Sequence, residues 1–149
     1  MPRFRPLSLL AILGVLVLPA CGTPQSNRPV NVDVTLKEFT VESSLTDFRP
    51  GIPYHFTVTN AGLIPHEFMI IPVVKGGEHA HGGAPGASMK EQHKMSLVSI
   101  PEQDLPAGAT VEVDYTFQRI PKGESIEIMC ALPGHFEAGM HIPVTIGNP

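Results

Sequence analysis

Cys130, His135 and Met140 follow one another with four residues in each gap, inside the stretch Met129-Cys130-Ala131-Leu132-Pro133-Gly134-His135-Phe136-Glu137-Ala138-Gly139-Met140. Thiolate and thioether are soft donors that select copper in its lower oxidation state, and imidazole also suits copper(II). Each residue alone has an ordinary explanation. A cysteine ending an apolar run is a buried structural thiol, a methionine fills core, and a histidine beside glycine belongs to a turn. Together they have a joint explanation, a metal-binding loop. Pro133-Gly134 and Gly139 bend the chain so that the three side chains can converge instead of running along a strand.

Two imidazoles, one thiolate and a weak axial methionine form the ligand set of blue-copper electron-transfer sites. The chain before Cys130 must therefore supply a second imidazole. His66 is the candidate. The run Tyr54-His55-Phe56-Thr57-Val58-Thr59 stops at Asn60 in a turn-forming cluster, and His66 opens the next apolar strand, Phe68 to Ile71. This pattern resembles the cupredoxins, small blue copper proteins in which an upstream histidine starts a strand and a Cys…His…Met loop closes the fold. The two gaps of four are more similar to the loops of rusticyanin and auracyanin than to the shorter loop of plastocyanin. The phrase from Cys130 to Met140 also resembles bacterial plastocyanin-like copper-binding proteins associated with copper homeostasis. The resemblance covers most of the chain after Val30. It implies an all-β, Greek-key β-sandwich holding one type 1 copper per chain. It implies His66, Cys130 and His135 as strong ligands and Met140 as the axial one. Many cupredoxins carry Asn directly after the first histidine, with its side chain bridging the ligand loops. This chain has Glu67, whose backbone N–H can still donate to the cysteine sulfur.

The elements that must position these donors are short strands. Val30, Val32, Val34 and Leu36 share one face, followed by Phe39 and Val41 and a break at Arg49-Pro50-Gly51. Tyr54, Phe56 and Val58 share a face, which puts His55 on the wet side. Phe68 and Ile70 continue the core. Val111, Val113, Tyr115 and Phe117 give the clearest alternation, between turns at Pro106-Ala107-Gly108 and Pro121-Lys122-Gly123. Ile126, Ile128 and Cys130 share a face, so the thiol points inward. Ile142, Val144 and Ile146 form the last strand, with His141 of opposite parity and exposed. Repeated short strands with Gly/Pro turns indicate an all-β sandwich. Its end loops can converge while two sheets hold them rigid.

The remaining segments carry other signals. Residues 1–20 hold Arg3 and Arg5, an apolar run from Leu9 to Leu18 and then Pro19-Ala20-Cys21. That order describes a secretory signal, and the run is short for a membrane span. Leu18-Pro19-Ala20-Cys21 resembles a bacterial lipobox with Cys21 as the lipidated first mature residue, although cleavage without lipidation remains the other outcome. Residues 21–29 read as a polar tether and 30–149 as the domain. The expected location is extracytoplasmic, periplasmic or at the cell surface, held to a membrane by the lipid. With only two cysteines there is no disulfide framework, and a free thiol in an exported chain calls for a reason such as metal ligation. Removing residues 1–20 leaves eight basic and fourteen acidic residues, a formal charge of −6. No basic patch favours nucleic acid or electrostatic attachment to anionic lipid.

From Lys75 to Lys94 the chain is Gly-rich without alternation, with short helical potential near Met89 to Met95. Two readings stand for this insertion. It is a solvated loop, or its His79, His81, Met89 and His93, with Met95, form a second, weaker copper site. Two functions stand as well. One is a single-electron carrier, docked by a redox partner at an apolar rim near Leu63, Ile64, Pro65, Leu132, Pro133 and Phe136. The other is a copper-binding protein for sequestration, delivery or resistance. The sequence has no nucleophile–base pair, no paired carboxylates in a motif and no phosphate loop, so no enzyme is expected. One cysteine in the loop excludes a dinuclear site bridged by two thiolates.

Overall fold

The computed structural model describes residues 28–73, 89–118 and 125–147. Period-two alternation sets its strands. In β1 (Val30–Lys37), Val32, Val34 and Leu36 are buried while their neighbours face outward. In β4 (Pro53–Asn60), Tyr54, Phe56 and Val58 do the same. Between them lie β2 (Thr40–Ser43) and the two-residue β3 (Asp47–Phe48). The others are β5 (Phe68–Val73), β6 (Val98–Ile100), β7 (Thr110–Thr116), β8 (Ser125–Met129) and β9 (His141–Ile146). Among the described residues one α-helix, α1 (Met89–Met95), falls where the sequence showed helical potential.

The strands form two mixed sheets, ordered β2-β1-β4-β7 and β3-β9-β8-β5-β6. β1 runs parallel to β4, from Val30 opposite Tyr54 to Leu36 opposite Asn60. β3 is parallel to β9, and the remaining pairs are antiparallel. The inner faces pack on each other to make the core. At the end where β4 begins, Phe48 is the hub. Its ring centroid lies 4.7 Å from Phe117, 5.0 Å from Tyr54 and 5.7 Å from Phe56. Burying each such ring contributes roughly 1.5–3 kcal/mol. Among the described residues no helix is long and apolar enough to cross a membrane. The signal segment, Cys21 and most of the tether lie outside the described residues.

Three sequence expectations change in detail. Phe39 does not join the core with Val41. It sits in the β1–β2 turn at φ 63°, 48% exposed, because the chain must reverse there. In β7, Val111, Val113 and Tyr115 are only half-buried, since β7 is an edge strand paired with β4 alone. In β5 both faces are buried. Phe68 and Ile70 face the main core, while Met69 and Ile71 pack with Met129, Ala131 and Phe136 on the outer side.

Candidate metal centre

The end of the sandwich opposite Phe48 gathers the donors. Three strand ends meet there. β4 stops at Asn60, β5 starts at Phe68, and β8 delivers Cys130 one residue past Met129. Met69 pairs with Met129 across β5 and β8, so the His66 loop and the cysteine are held side by side by sheet register.

His66, Cys130 and His135 offer ligand atoms that all lie within 4.8 Å of one another. Cys130 Sγ is 3.3 Å from His135 Nδ1, and the two imidazole centroids are 5.2 Å apart. His66, Cys130 and Met140 are fully buried, and His135 is half-buried. The inward thiol follows from the shared face of Ile126, Ile128 and Cys130. Met140 belongs to the same core cluster and is tied to the cysteine through the backbone, where Cys130 N–H donates to Met140 O at 3.1 Å.

The loop between them is closed by its own hydrogen bonds. His135 N–H donates to Leu132 O, Ala138 N–H to Gly134 O, Gly139 N–H to Phe136 O and Met140 N–H to His135 O, at 2.9–3.1 Å. Gly134 and Gly139, at φ 84° and 100°, supply the left-handed backbone these turns require. The His66 side is closed by Asn60, which is buried. Its Nδ2 donates to Ile64 O at 2.8 Å and to Leu105 O at 2.9 Å, and its Oδ1 accepts from Gly62 N–H at 2.9 Å. His66 N–H adds a bond to Leu105 O at 3.1 Å.

The donors are buried or half-buried, and those of His66 lack partners. Both ring nitrogens of His66 are buried without a hydrogen-bond partner. Burial, then the neighbouring His135, pushes its pKa down, so the ring is neutral and free to ligate. Burial pushes the Cys130 thiol up, against N–H groups of Glu67 and Leu132 that favour its thiolate. The Glu67 N–H donates to Cys130 Sγ at 3.4 Å, as the sequence allowed. A buried sulfur provided with such donors, beside one imidazole without a partner and a second whose Nδ1 lies 3.3 Å from the sulfur, fits a thiophilic metal ion, whose binding would displace the thiol proton.

Glu67's carboxylate takes a different course from the usual Asn. It is buried, and its Oε1 pairs with His93 Nε2 of α1 at 2.5 Å. It thereby fastens the helix of the insertion beside the cysteine loop, along a cleft of about 480 Å³ lined by Glu67, His93, Glu102, Leu132 and Pro133. Of the residues considered for a second copper site, His93 is thus engaged with Glu67, and Met95 is 37% exposed at the end of α1. Met89 contributes to the helix backbone, and His79 and His81 lie outside the described residues.

The other histidines stay away from the centre. His55 bonds Asp114 at 2.6 Å on the outer face of β4. His141 is half-buried instead of exposed, because Phe136 stacks on it at 4.3 Å and Glu127 lies 3.2 Å away. Of the expected apolar rim, Leu63 is 88% and Ile64 40% exposed, and Pro133 is exposed. Phe136 is half-buried and leans toward Met69 and Ile71. The sequence missed Phe39, whose exposed ring meets His135 edge-on at 5.7 Å. It also missed Glu38 and Asn60, which carry no motif.

Two mixed sheets with a Cys–His–Met loop joining β8 to β9 at one end define the cupredoxin fold. The solved structure of reduced auracyanin from Roseiflexus castenholzii superposes with a TM-score of 0.52 at 17% identity, over 79% of this chain and 97% of that one. The azurin Az-iso2 from Methylomonas sp. strain J gives 0.50 at 19% identity, over 79% and 98%. A curated relative, the copper-resistant cuproprotein CopI of Rubrivivax gelatinosus, is 34% identical over 92 residues, 62% of this chain and 50% of that protein. The chain thus spans about half the length of that relative. No protein-family model matches it.

Proposed function

We propose that this chain is an exported type 1 copper protein that carries single electrons, with His66, Cys130 and His135 as strong ligands and Met140 as the axial one. The observation that carries the reading is the buried meeting of one thiol and two imidazoles within 4.8 Å. When bound there, copper would supply a one-electron couple. The chain's part is to keep the donors where they are. The Glu67 N–H holds the sulfur, Asn60 holds the His66 loop, and the backbone bonds from Leu132 to Met140 hold His135. A site so fixed reorganises little when its charge changes. His135 is the one of the four not fully buried, and its edge lies near Phe39, which together with Leu63, Ile64 and Pro133 would form a rim for a redox partner.

The expected result is an intense visible charge-transfer band on adding copper(II). That band disappears in Cys130→Ser and is disturbed in His66→Ala, while His55→Ala and His141→Ala leave it unchanged. Survival of the band in Cys130→Ser would overturn the ligand assignment.

A second reading, copper handling, is favoured by the 34% identity to a protein named for copper resistance. The rate at which loaded protein gives copper to a competing chelator separates the two. Slow exchange supports the carrier, and fast exchange supports cargo. Export rests on Arg3, Arg5, the apolar run and Ala20-Cys21. Mass spectrometry of the membrane fraction should find an acylated chain beginning at Cys21. An unmodified soluble chain beginning there would remove the anchor and keep the export.

A further inference from the structure

Glu38 lies in the turn after β1. In the fold it reaches the loop that presents His66. Its Oε1 accepts from Leu63 N–H at 2.5 Å and from Ile64 N–H at 3.3 Å. The same oxygen is 4.0 Å from His66 Nε2. Gly62 makes this approach feasible. A Cβ on Gly62 would stand 2.6 Å from Glu38 Oε1 and 2.9 Å from His66 Nε2, so any larger residue would push into the space the pair occupies. The Nε2 edge of His66 therefore faces Gly62 and Glu38, which leaves Nδ1 for the donor cluster.

We propose that Glu38 is a positioning residue for the metal centre, a carboxylate that orients His66 through Nε2 and biases the centre toward copper(II). The inference rests on the copper reading above. Ligating histidines commonly direct their second ring nitrogen to a carboxylate or carbonyl, which fixes the tautomer and makes the ligand more basic. His66 Nε2 is buried and has no other partner. At 4.0 Å the pair is too long for a direct hydrogen bond, and a side-chain rotation or one bridging water would close it. A glutamate carboxylate is ionised at neutral pH, and the two N–H bonds from Leu63 and Ile64 favour that form. Glu38 is 36% exposed, so solvent moderates its field without cancelling it. A negative charge beside a ligating ring would stabilise the more highly charged oxidation state.

The test compares copper-loaded wild type with Glu38→Gln, Glu38→Asp and Glu42→Gln. Glutamine keeps an oxygen for Leu63 and Ile64 and removes the charge. Glu42 is an exposed glutamate of the same hairpin, 4.0 Å from Lys37, and serves as the control for general charge. In Glu38→Gln the visible band persists, the reduction potential rises, and copper(II) is lost to a chelator about tenfold more readily, while copper(I) retention changes less. Glu38→Asp keeps the potential close to that of wild type. An unchanged potential in Glu38→Gln overturns the proposal, as does an equal rise in Glu42→Gln. An equal shift in Glu38→Asp and Glu38→Gln would assign the effect to loop contacts and also overturn it. If wild type itself shows no charge-transfer band, it is the copper reading that fails, and this inference falls with it.

Discussion

Asn60 is fully buried and serves three backbone groups at once. Replacing it with alanine strands Ile64 O and Gly62 N–H and leaves Leu105 O with its bond from His66 N–H alone, and unmet buried groups cost about 1–3 kcal/mol each. Asn60→Ala should therefore lower stability by roughly 2–4 kcal/mol in chemical denaturation. A loss below about 1 kcal/mol would mean that water replaces the amide. At this scale the sequence was legible where residue type announces chemistry. A thiol, an imidazole and a thioether at fixed spacing can be read without a fold, and His66 could be found from its place before an apolar run. Asn60, Glu38 and Phe39 could not. Their roles depend on groups far away in the chain. Leu105 is 45 residues from Asn60, and Leu63 is 25 from Glu38. Asparagine, glutamate and phenylalanine near a turn are too ordinary to signal such contacts.

Among the elements, the β4–β7 pair carries a pH dependence of its own. His55 lies opposite Asp114 in the register and is bonded to it at 2.6 Å. That hydrogen bond raises the His55 pKa above its ordinary value of 6.5, with the charge of Glu112 adding to it. Because the folded value is the higher one, the pair's contribution is complete below the unfolded value near 6.5 and is lost as pH rises through the raised folded value. Wild type should lose stability across that interval relative to Asp114→Asn, in thermal melts taken at several pH values. Parallel curves for the two proteins would show that the pair adds nothing. Strands of this kind were legible because alternation continued for seven or eight residues, as in β1, β4 and β7. β3 and β6 have two and three residues, too few to show a period. The burial of both faces of β5 was hidden as well, because the cover on its outer face comes from Ala131 and Phe136, some sixty residues later.

For the whole molecule, the two sheets separate the aromatic hub around Phe48 from the donor cluster at the other end. The donor end also exposes Leu63, Ile64, Phe39 and Pro133. Apolar groups gathered in this way commonly mark interaction sites. For the proposed docking rim, Leu63→Asp should slow electron exchange with a redox partner and leave the visible spectrum unaltered, as measured by stopped-flow kinetics. Unchanged kinetics would count against the rim. The all-β sandwich was legible as a class from its many short strands and Gly/Pro turns. The partition into two sheets was not, since it depends on β1 pairing in parallel with β4 and not only with its neighbour β2.

That parallel register fixes which way the molecule faces. β1 enters opposite Tyr54, beside the aromatic hub, and leaves opposite Asn60, beside the donors. Eight residues at about 3.3 Å each make it roughly 25 Å long. Any mooring upstream of β1 therefore pulls on the base of the molecule, and the donor cluster rides at its tip. In the arrangement proposed above, a redox partner arriving from solvent would meet Leu63 and the edge of His135 first, without passing the mooring.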